Sequence, residues 1–127
     1  MLNKIPAYVL SISVIAAILY LTLAPQPLPD NELSLFPNAD KVVHALMFGG
    51  AFFCFYTDRL KLRGKVSGRA ILMLMIATVI FGGAVEILQD AMGLGRGGDI
   101  LDFLADIAGV LLSALITPAI YKKATVR

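Results

Sequence analysis

Long apolar runs separated by short polar segments predict four helices that each cross a lipid bilayer. An uncharged run over residues 5–24 is long enough to span about 30 Å of hydrocarbon. Further apolar segments predict helices at about residues 41–57, 70–89 and 100–121. A cleaved signal peptide also starts with a basic residue and an apolar run, but this run is long and three more follow. The sequence therefore predicts one all-α, four-helix transmembrane domain over residues 1–127.

The polar segments between these runs predict turns and one irregular loop. Residues 25–40 hold four of the six prolines and three acids, which predicts an irregular loop beside the membrane. Asn38 or Asp40 is expected to cap the second helix, because a short side-chain oxygen can accept a free N–H of the first turn. Glycines in residues 91–98 predict a turn between the third and fourth helices.

The distribution of charge predicts the orientation of the four helices. Residues 58–69, DRLKLRGKVSGR, form a basic loop with five cations and one acid. Basic residues hold short loops on the cytoplasmic side, and the same side would carry Lys4 and the C-terminal cations. Nine of the eleven Lys and Arg then lie on that side, whereas every acid except Asp58 lies toward the outer side. The chain is thus expected to be a multi-pass membrane protein with both termini cytoplasmic.

Composition supports a membrane protein and argues against a soluble domain and a nucleic-acid-binding protein. Hydrophobic residues make up 58% of the chain and its mean hydropathy is +0.81, above the roughly 45–50% apolar content of soluble domains. The net charge of +2 comes from cations in predicted cytoplasmic loops, so nucleic acid is not an expected partner. Cys54 is the single cysteine, which excludes an internal disulfide.

Polar residues on three predicted helices would meet near the outer side of the membrane. Ionisable groups at membrane depth are costly and usually mark a function. Small residues such as Gly82, Gly83 and Gly109 permit close helix contact, so the acids on the third and fourth helices should point into the bundle. The candidate site residues are Asp40, Lys41, His44, Glu86, Gln89, Arg96, Asp99, Asp102 and Asp106.

Negative charge dominates this group, since five acids face only Lys41 and Arg96. Raised carboxyl pKa values, a divalent cation or a cationic ligand would each relieve the repulsion. The chain has no recognised metal-ligand spacing, and no metal is assigned. A purely structural network of neutralising contacts explains the same residues, because buried polar groups need partners whatever the function.

Three blocks of sequence resemble the VanZ-like family of small bacterial membrane proteins. PNADKVVHALMFGG fits a D-K-x-x-H-x-x-x-F pattern, GGAVEILQ fits E-x-x-Q, and GRGGDILDFLADIAG fits an Arg followed by an Asp and a small-residue helix. The blocks occur in the family's order over about residues 37–113. The family usually carries Asn where this chain has Asp106. The resemblance implies an integral protein of the cell envelope, in a family whose namesake is associated with low-level teicoplanin resistance, but it implies no reaction.

The leading hypothesis is an envelope protein that binds or alters a membrane lipid or a lipid-linked wall component, and so changes susceptibility to teicoplanin-type lipoglycopeptides. Arg96 and Lys41 would engage an anionic headgroup, Glu86 and His44 would transfer a proton, and Asp102 would orient Arg96 or His44.

Three other functions fit the same residues. A membrane hydrolase or transferase would use His44 and the carboxylates with a metal or as acid and base. A structural or partner-binding protein would tolerate Glu86→Gln but not substitutions at Gly83 or Gly109. A transporter would need more helices or an oligomer. The sequence identifies no cofactor, ligand or oligomeric state.

Overall fold

The chain folds into α-helices, as its apolar pattern predicts. The structure is a computed structural model that describes residues 4–23, 39–92 and 100–126, the last four as backbone only. Those residues contain four helices, α1 (Val9–Leu23), α2 (Ala39–Arg63), α3 (Gly68–Met92) and α4 (Ile100–Val126). Each helix overlaps one predicted apolar segment. The proline-rich loop, Asn38 and the glycine-rich turn lie outside the described residues, and Asp40 lies in the first turn of α2.

The predicted basic loop is much shorter than expected, because α2 continues through half of it. Residues 58–63 contain no helix breaker, and α2 ends only at Gly64, whose φ of 72° suits a left-handed C-terminal cap. The N–H of Gly64 donates to the carbonyl of Leu60 at 2.8 Å. Three residues later, Ser67 Oγ accepts a hydrogen bond from the N–H of Ala70 at 3.1 Å and caps the start of α3.

Cross-helix contacts define the direction of each helix. His44 of α2 contacts Asp106 of α4, and further along Thr57 contacts Tyr121, so α2 and α4 run parallel. Helices α1 and α3 run the other way. One end of the bundle, the basic end, carries the cations of residues 59–69. The opposite end, called the acidic end, carries six of the predicted site residues, namely Asp40, Lys41, His44, Glu86, Asp102 and Asp106.

Small residues bring α2 and α4 into the most extensive helix contact of the described chain. A Cβ atom on Gly109 would lie 2.8 Å from Ala45 Cα and closer still to the Ala45 carbonyl oxygen. Gly49 faces the same point, since a Cβ there would lie 3.0 Å from the Gly109 carbonyl oxygen. Below this contact Phe48, Phe52, Val85, Val110 and Ile18 form the buried core. Backbone contact of this kind needs glycine.

Much of the outer surface of the bundle is apolar. Helix α3 and residues Ile100–Lys122 of α4 are each long and apolar enough to cross a membrane, with only 22% of either span buried. Helix α1 is apolar but has 15 residues, and α2 carries charges at both ends. Large exposed apolar faces are unusual on soluble monomers and commonly mark contact with lipid or protein. Among the most exposed side chains are Leu46, Ile80, Ile87 and Leu115.

Candidate functional site: a histidine among carboxylates at the acidic end

His44 lies in the second turn of α2 and is buried against α4. Its Nδ1 atom lies 2.9 Å from Asp106 Oδ1, which is hydrogen-bonding distance. Asp106 has no exposed surface, and His44 is 8% exposed. The parallel packing of α2 and α4 produces this pair, because the Ala45–Gly109 contact lies about one turn from it and holds the two backbones together. The result is a buried histidine–carboxylate hydrogen bond.

Two further carboxylates lie close to the imidazole, one beside Nδ1 together with Asp106 and one beside Nε2. Glu86 Oε1 of α3 lies 3.6 Å from His44 Nδ1, and Asp102 Oδ2 of α4 lies 3.6 Å from His44 Nε2. Both ring nitrogens therefore face an acid. One imidazole with acids on both nitrogens can accept a proton at one nitrogen while releasing another to a neighbouring carboxylate.

Lys41 joins this group through Asp102. Its Nζ atom lies 2.9 Å from Asp102 Oδ1 and 2.8 Å from Asp40 Oδ2. The Lys41 hydrogen bond holds the pKa of the Asp40 carboxyl below its ordinary value. Lys41 is therefore already neutralised by two carboxylates, which weakens its attraction for an anionic headgroup. Asp102 thus connects the lysine to the histidine.

Asp106 has one oxygen that no described residue satisfies. Oδ1 contacts His44, whereas Oδ2 is buried without a hydrogen-bond partner among the described residues. Oδ2 faces Gly82 of α3, where a Cβ atom would lie 3.1 Å from it. Glycine at this position therefore leaves room for the carboxylate one turn from Glu86. Such an oxygen is costly unless a proton or a bound group satisfies it.

Three of these side chains have the geometry of a cation site. His44, Glu86 and Asp106 each offer one ligand atom, and these atoms lie within 4.8 Å of one another. A neutral imidazole with two carboxylates carries a charge of minus two, which a divalent ion would balance. Asp102 beside Nε2 resembles the carboxylate that commonly orients a metal-bound histidine.

A mainly apolar cavity leads to the site from the side of the bundle. It measures about 310 Å³ and is lined by Glu86 together with Gly83, Ile87, Asp90, Ile100 and Phe103. It lies between α3 and α4. An amphipathic molecule could place its polar group at Glu86 and its apolar part against Ile87 and Phe103.

The structure brings together six of the nine predicted site residues: Asp40, Lys41, His44, Glu86, Asp102 and Asp106. Gln89 is directed elsewhere, because its Nε2 donates to the Thr22 carbonyl at 2.8 Å and ties α3 to α1. Arg96 and Asp99 lie outside the described residues.

Sequence reasoning missed Asp58 of α2. It was grouped with the basic segment as a loop charge, yet it is 2% exposed at the basic end. Its Oδ2 accepts a hydrogen bond from the Ser11 N–H at 2.8 Å and so satisfies one free donor at the start of α1. The one clue in the sequence is an acid directly after a long apolar run.

Comparison of the chain with protein-family models, with curated proteins and with solved structures gave no match.

Proposed function

We propose that the chain is a four-span inner-membrane protein of the bacterial envelope, with both termini cytoplasmic. The exposed apolar faces of α3 and α4 support membrane insertion. The separation of a basic end from an acidic end supports the orientation, because basic residues favour the cytoplasmic side. The charges at the ends of α2 would lie in the two headgroup regions, where they remain hydrated.

Cysteine labelling tests this topology. In a Cys54→Ser background, Lys65→Cys at the basic end should react with a membrane-impermeant maleimide only after the cells are opened. Lys65 is exposed and lies in the short α2–α3 loop, so the substitution should not disturb packing. Labelling in intact cells would place the basic end outside and refute the orientation.

For function, we propose a VanZ-like envelope protein whose acidic end binds or alters a membrane lipid or a lipid-linked wall component, with His44 and Glu86 handling a proton. The observation that carries this proposal is the buried His44–Asp106 hydrogen bond with Glu86 at 3.6 Å. A histidine held by a carboxylate is a common general acid or base. The cavity beside Glu86 has the apolar lining that a lipid would need.

Antibiotic susceptibility is the first test. Teicoplanin and vancomycin susceptibility should be compared in bacteria that carry an empty vector, the wild type, Glu86→Ala or the control Leu88→Ala. Leu88 is exposed on α3 and lies outside the cavity lining. With membrane levels matched by immunoblot, a teicoplanin-selective shift should occur with wild type and Leu88→Ala and be lost with Glu86→Ala. No shift with wild type would refute the lipoglycopeptide part of the proposal.

A membrane hydrolase or transferase that uses a divalent cation is the second candidate. The clustered ligand atoms of His44, Glu86 and Asp106, and the unsatisfied Oδ2 of Asp106, favour it. Imidazole with carboxylates suits Zn²⁺, Mn²⁺ or Fe²⁺ better than Ca²⁺. A bound ion of this class would act as a Lewis acid on a phosphoryl or carbonyl group.

Metal titration separates the two candidates. Purified protein stripped with chelator should gain thermal stability on addition of Zn²⁺ or Mn²⁺ if the site binds the ion, since a ligand that binds only the folded state stabilises it. His44→Ala should abolish this gain. An equal gain in wild type and His44→Ala would assign the ion to another position and remove the metal candidate.

A further inference from the structure

A second cavity lies at the basic end, at the opposite end of the bundle from the histidine. It measures about 490 Å³, opens to the surface and is lined by residues of α1, α2 and α3 and by Tyr8 just before α1. This volume lies within the range of roughly 300–1,000 Å³ common for small-molecule sites. None of its lining residues belongs to the histidine site, so its role is independent of the proposal above.

Asp58 supplies a buried acceptor in the wall of this cavity. One of its oxygens accepts the Ser11 N–H, whereas Oδ1 is buried and has no hydrogen-bond partner in the described part of the chain. A side chain 2% exposed cannot rely on bulk water to solvate its charge. A donor bound in the cavity would satisfy it, and a cationic donor would also balance its charge.

Two arginines line the same cavity. Arg59 and Arg63 are four residues apart on α2, so they lie on one face of the helix, one turn from each other. Guanidinium groups bind phosphate through paired N–H donors. The cavity thus places an acceptor for a cation next to donors for a phosphate.

Apolar side chains complete the lining. Phe55, Leu62 and Leu74 contact the same space. A hydrophilic phosphate ester would gain nothing from them, whereas a phospholipid could rest the start of an acyl chain there and leave the remainder in the bilayer.

We propose that this cavity binds the headgroup of an aminophospholipid of the phosphoethanolamine type. Its primary ammonium donates to Asp58, its phosphate accepts from Arg59 and Arg63, and its acyl chain packs on Phe55, Leu62 and Leu74. A quaternary ammonium headgroup has no N–H for Asp58, and a glycerol headgroup brings no positive charge. The site is therefore selective for the primary amine.

Native mass spectrometry of the purified protein in detergent tests this selectivity directly. The protein is mixed with equal amounts of four dioleoyl phospholipids whose headgroup amine carries zero, one, two or three methyl groups, so that each bound lipid is resolved by mass. Dioleoyl phosphatidylglycerol is added in a separate arm. The primary amine should be retained at least about fivefold over the trimethyl lipid, with a stepwise fall between them, because the trimethyl headgroup keeps its charge but has no N–H to donate to Asp58.

Variants assign the selectivity to residues. Asp58→Asn should abolish the preference for the primary amine while phospholipid binding persists. Arg59→Gln with Arg63→Gln should lower retention of every lipid, whereas Arg69→Gln, an exposed arginine of the basic end outside the cavity, should change nothing. Glu86→Ala should also leave the preference intact, which separates this site from the acidic end.

Several results would overturn the proposal. They are equal retention across the methylation series in wild type, equal retention of phosphatidylglycerol, and a preference that survives Asp58→Asn. Displacement of bound lipid by an excess of soluble glycerophosphoethanolamine would identify a soluble phosphoethanolamine, and not a lipid, as the occupant. The wild-type series decides the question even if Asp58→Asn fails to fold.

Discussion

Gly109→Ala should destabilise the protein and break the histidine site together, because one close contact supports both. The added Cβ would lie 2.8 Å from Ala45 Cα and still closer to the Ala45 carbonyl oxygen. These are backbone atoms of a helix and cannot rotate away, so α2 and α4 must separate by roughly 1 Å. That movement would lengthen the 2.9 Å His44–Asp106 hydrogen bond beyond bonding distance.

The magnitude follows from three contributions. Overpacking a close contact costs typically 1–3 kcal/mol. Loss of a hydrogen bond to a charged group costs about 1.5–3 kcal/mol. Replacing glycine by alanine inside a helix stabilises the folded protein by about 1 kcal/mol, because alanine has the higher helix propensity. The expected net loss is about 1.5–5 kcal/mol, a large part of a typical stability of about 5–15 kcal/mol.

Two glycines provide matched controls for this experiment. Gly50 lies inside α2, as Gly109 lies inside α4, but a Cβ atom on Gly50 would meet nothing within 4 Å. Gly50→Ala should therefore be neutral or stabilising by up to about 1 kcal/mol. Gly83→Ala would meet Phe103 at 3.6 Å, an ordinary contact, and should be tolerated, in contrast to the expectation from the sequence.

Circular dichroism of the purified proteins in detergent, followed during chemical unfolding, measures the difference, since the chain has no Trp to report by fluorescence. Equal unfolding midpoints for Gly109→Ala and Gly50→Ala would refute the inferred helix contact and, with it, the positions of His44 and Asp106.

Three smaller predictions concern single polar contacts. Asp106→Ala should cost about 1.5–3 kcal/mol by removing the hydrogen bond to His44, and Asp106→Asn, which keeps an acceptor, should cost less than half of that in the same unfolding assay. Gln89→Leu should cost about 1 kcal/mol of stability by removing the hydrogen bond to the Thr22 carbonyl. It should leave any teicoplanin shift unchanged. Loss of that shift in a variant of normal stability would show that Gln89 takes part in the function of the acidic end. Because Lys41 lowers the pKa of folded Asp40, this carboxylate stabilises the protein above its unfolded pKa, and the contribution is lost as pH falls through the lower folded value; melting temperatures measured from about pH 6 to about pH 3 should therefore fall less steeply in Asp40→Asn than in wild type.

The helices themselves could be predicted from the sequence, because local patterns produce them. Long uncharged runs can bury their side chains only in helices that pack together or face lipid, and four such runs gave the four observed helices. Helix ends were harder. Helix α2 continues to Arg63 because no helix-breaking residue occurs before Gly64. The charges of residues 58–69 predicted a loop, but the first half of that segment is helical.

The set of acids at one end also followed from the sequence, through spacing on α4 and the order of the helices. Asp102, Asp106 and Gly109 share one face because they are three or four residues apart, which is a local property of the helix. What each side chain contacts is not local, since it depends on how far each helix is rotated and shifted along its neighbours.

Only the tertiary structure decided these partners. The Ala45–Gly109 contact sets α2 against α4 so that His44 meets Asp106, with Glu86 added from α3. The same packing turns Gln89 toward α1 and buries Asp58 beneath the first turn of that helix. Sequence by itself determined which polar groups this protein must accommodate, because composition and periodicity are properties of the chain. Packing determined which of them contact one another, because such contacts require atoms from different helices to lie within about 3 Å.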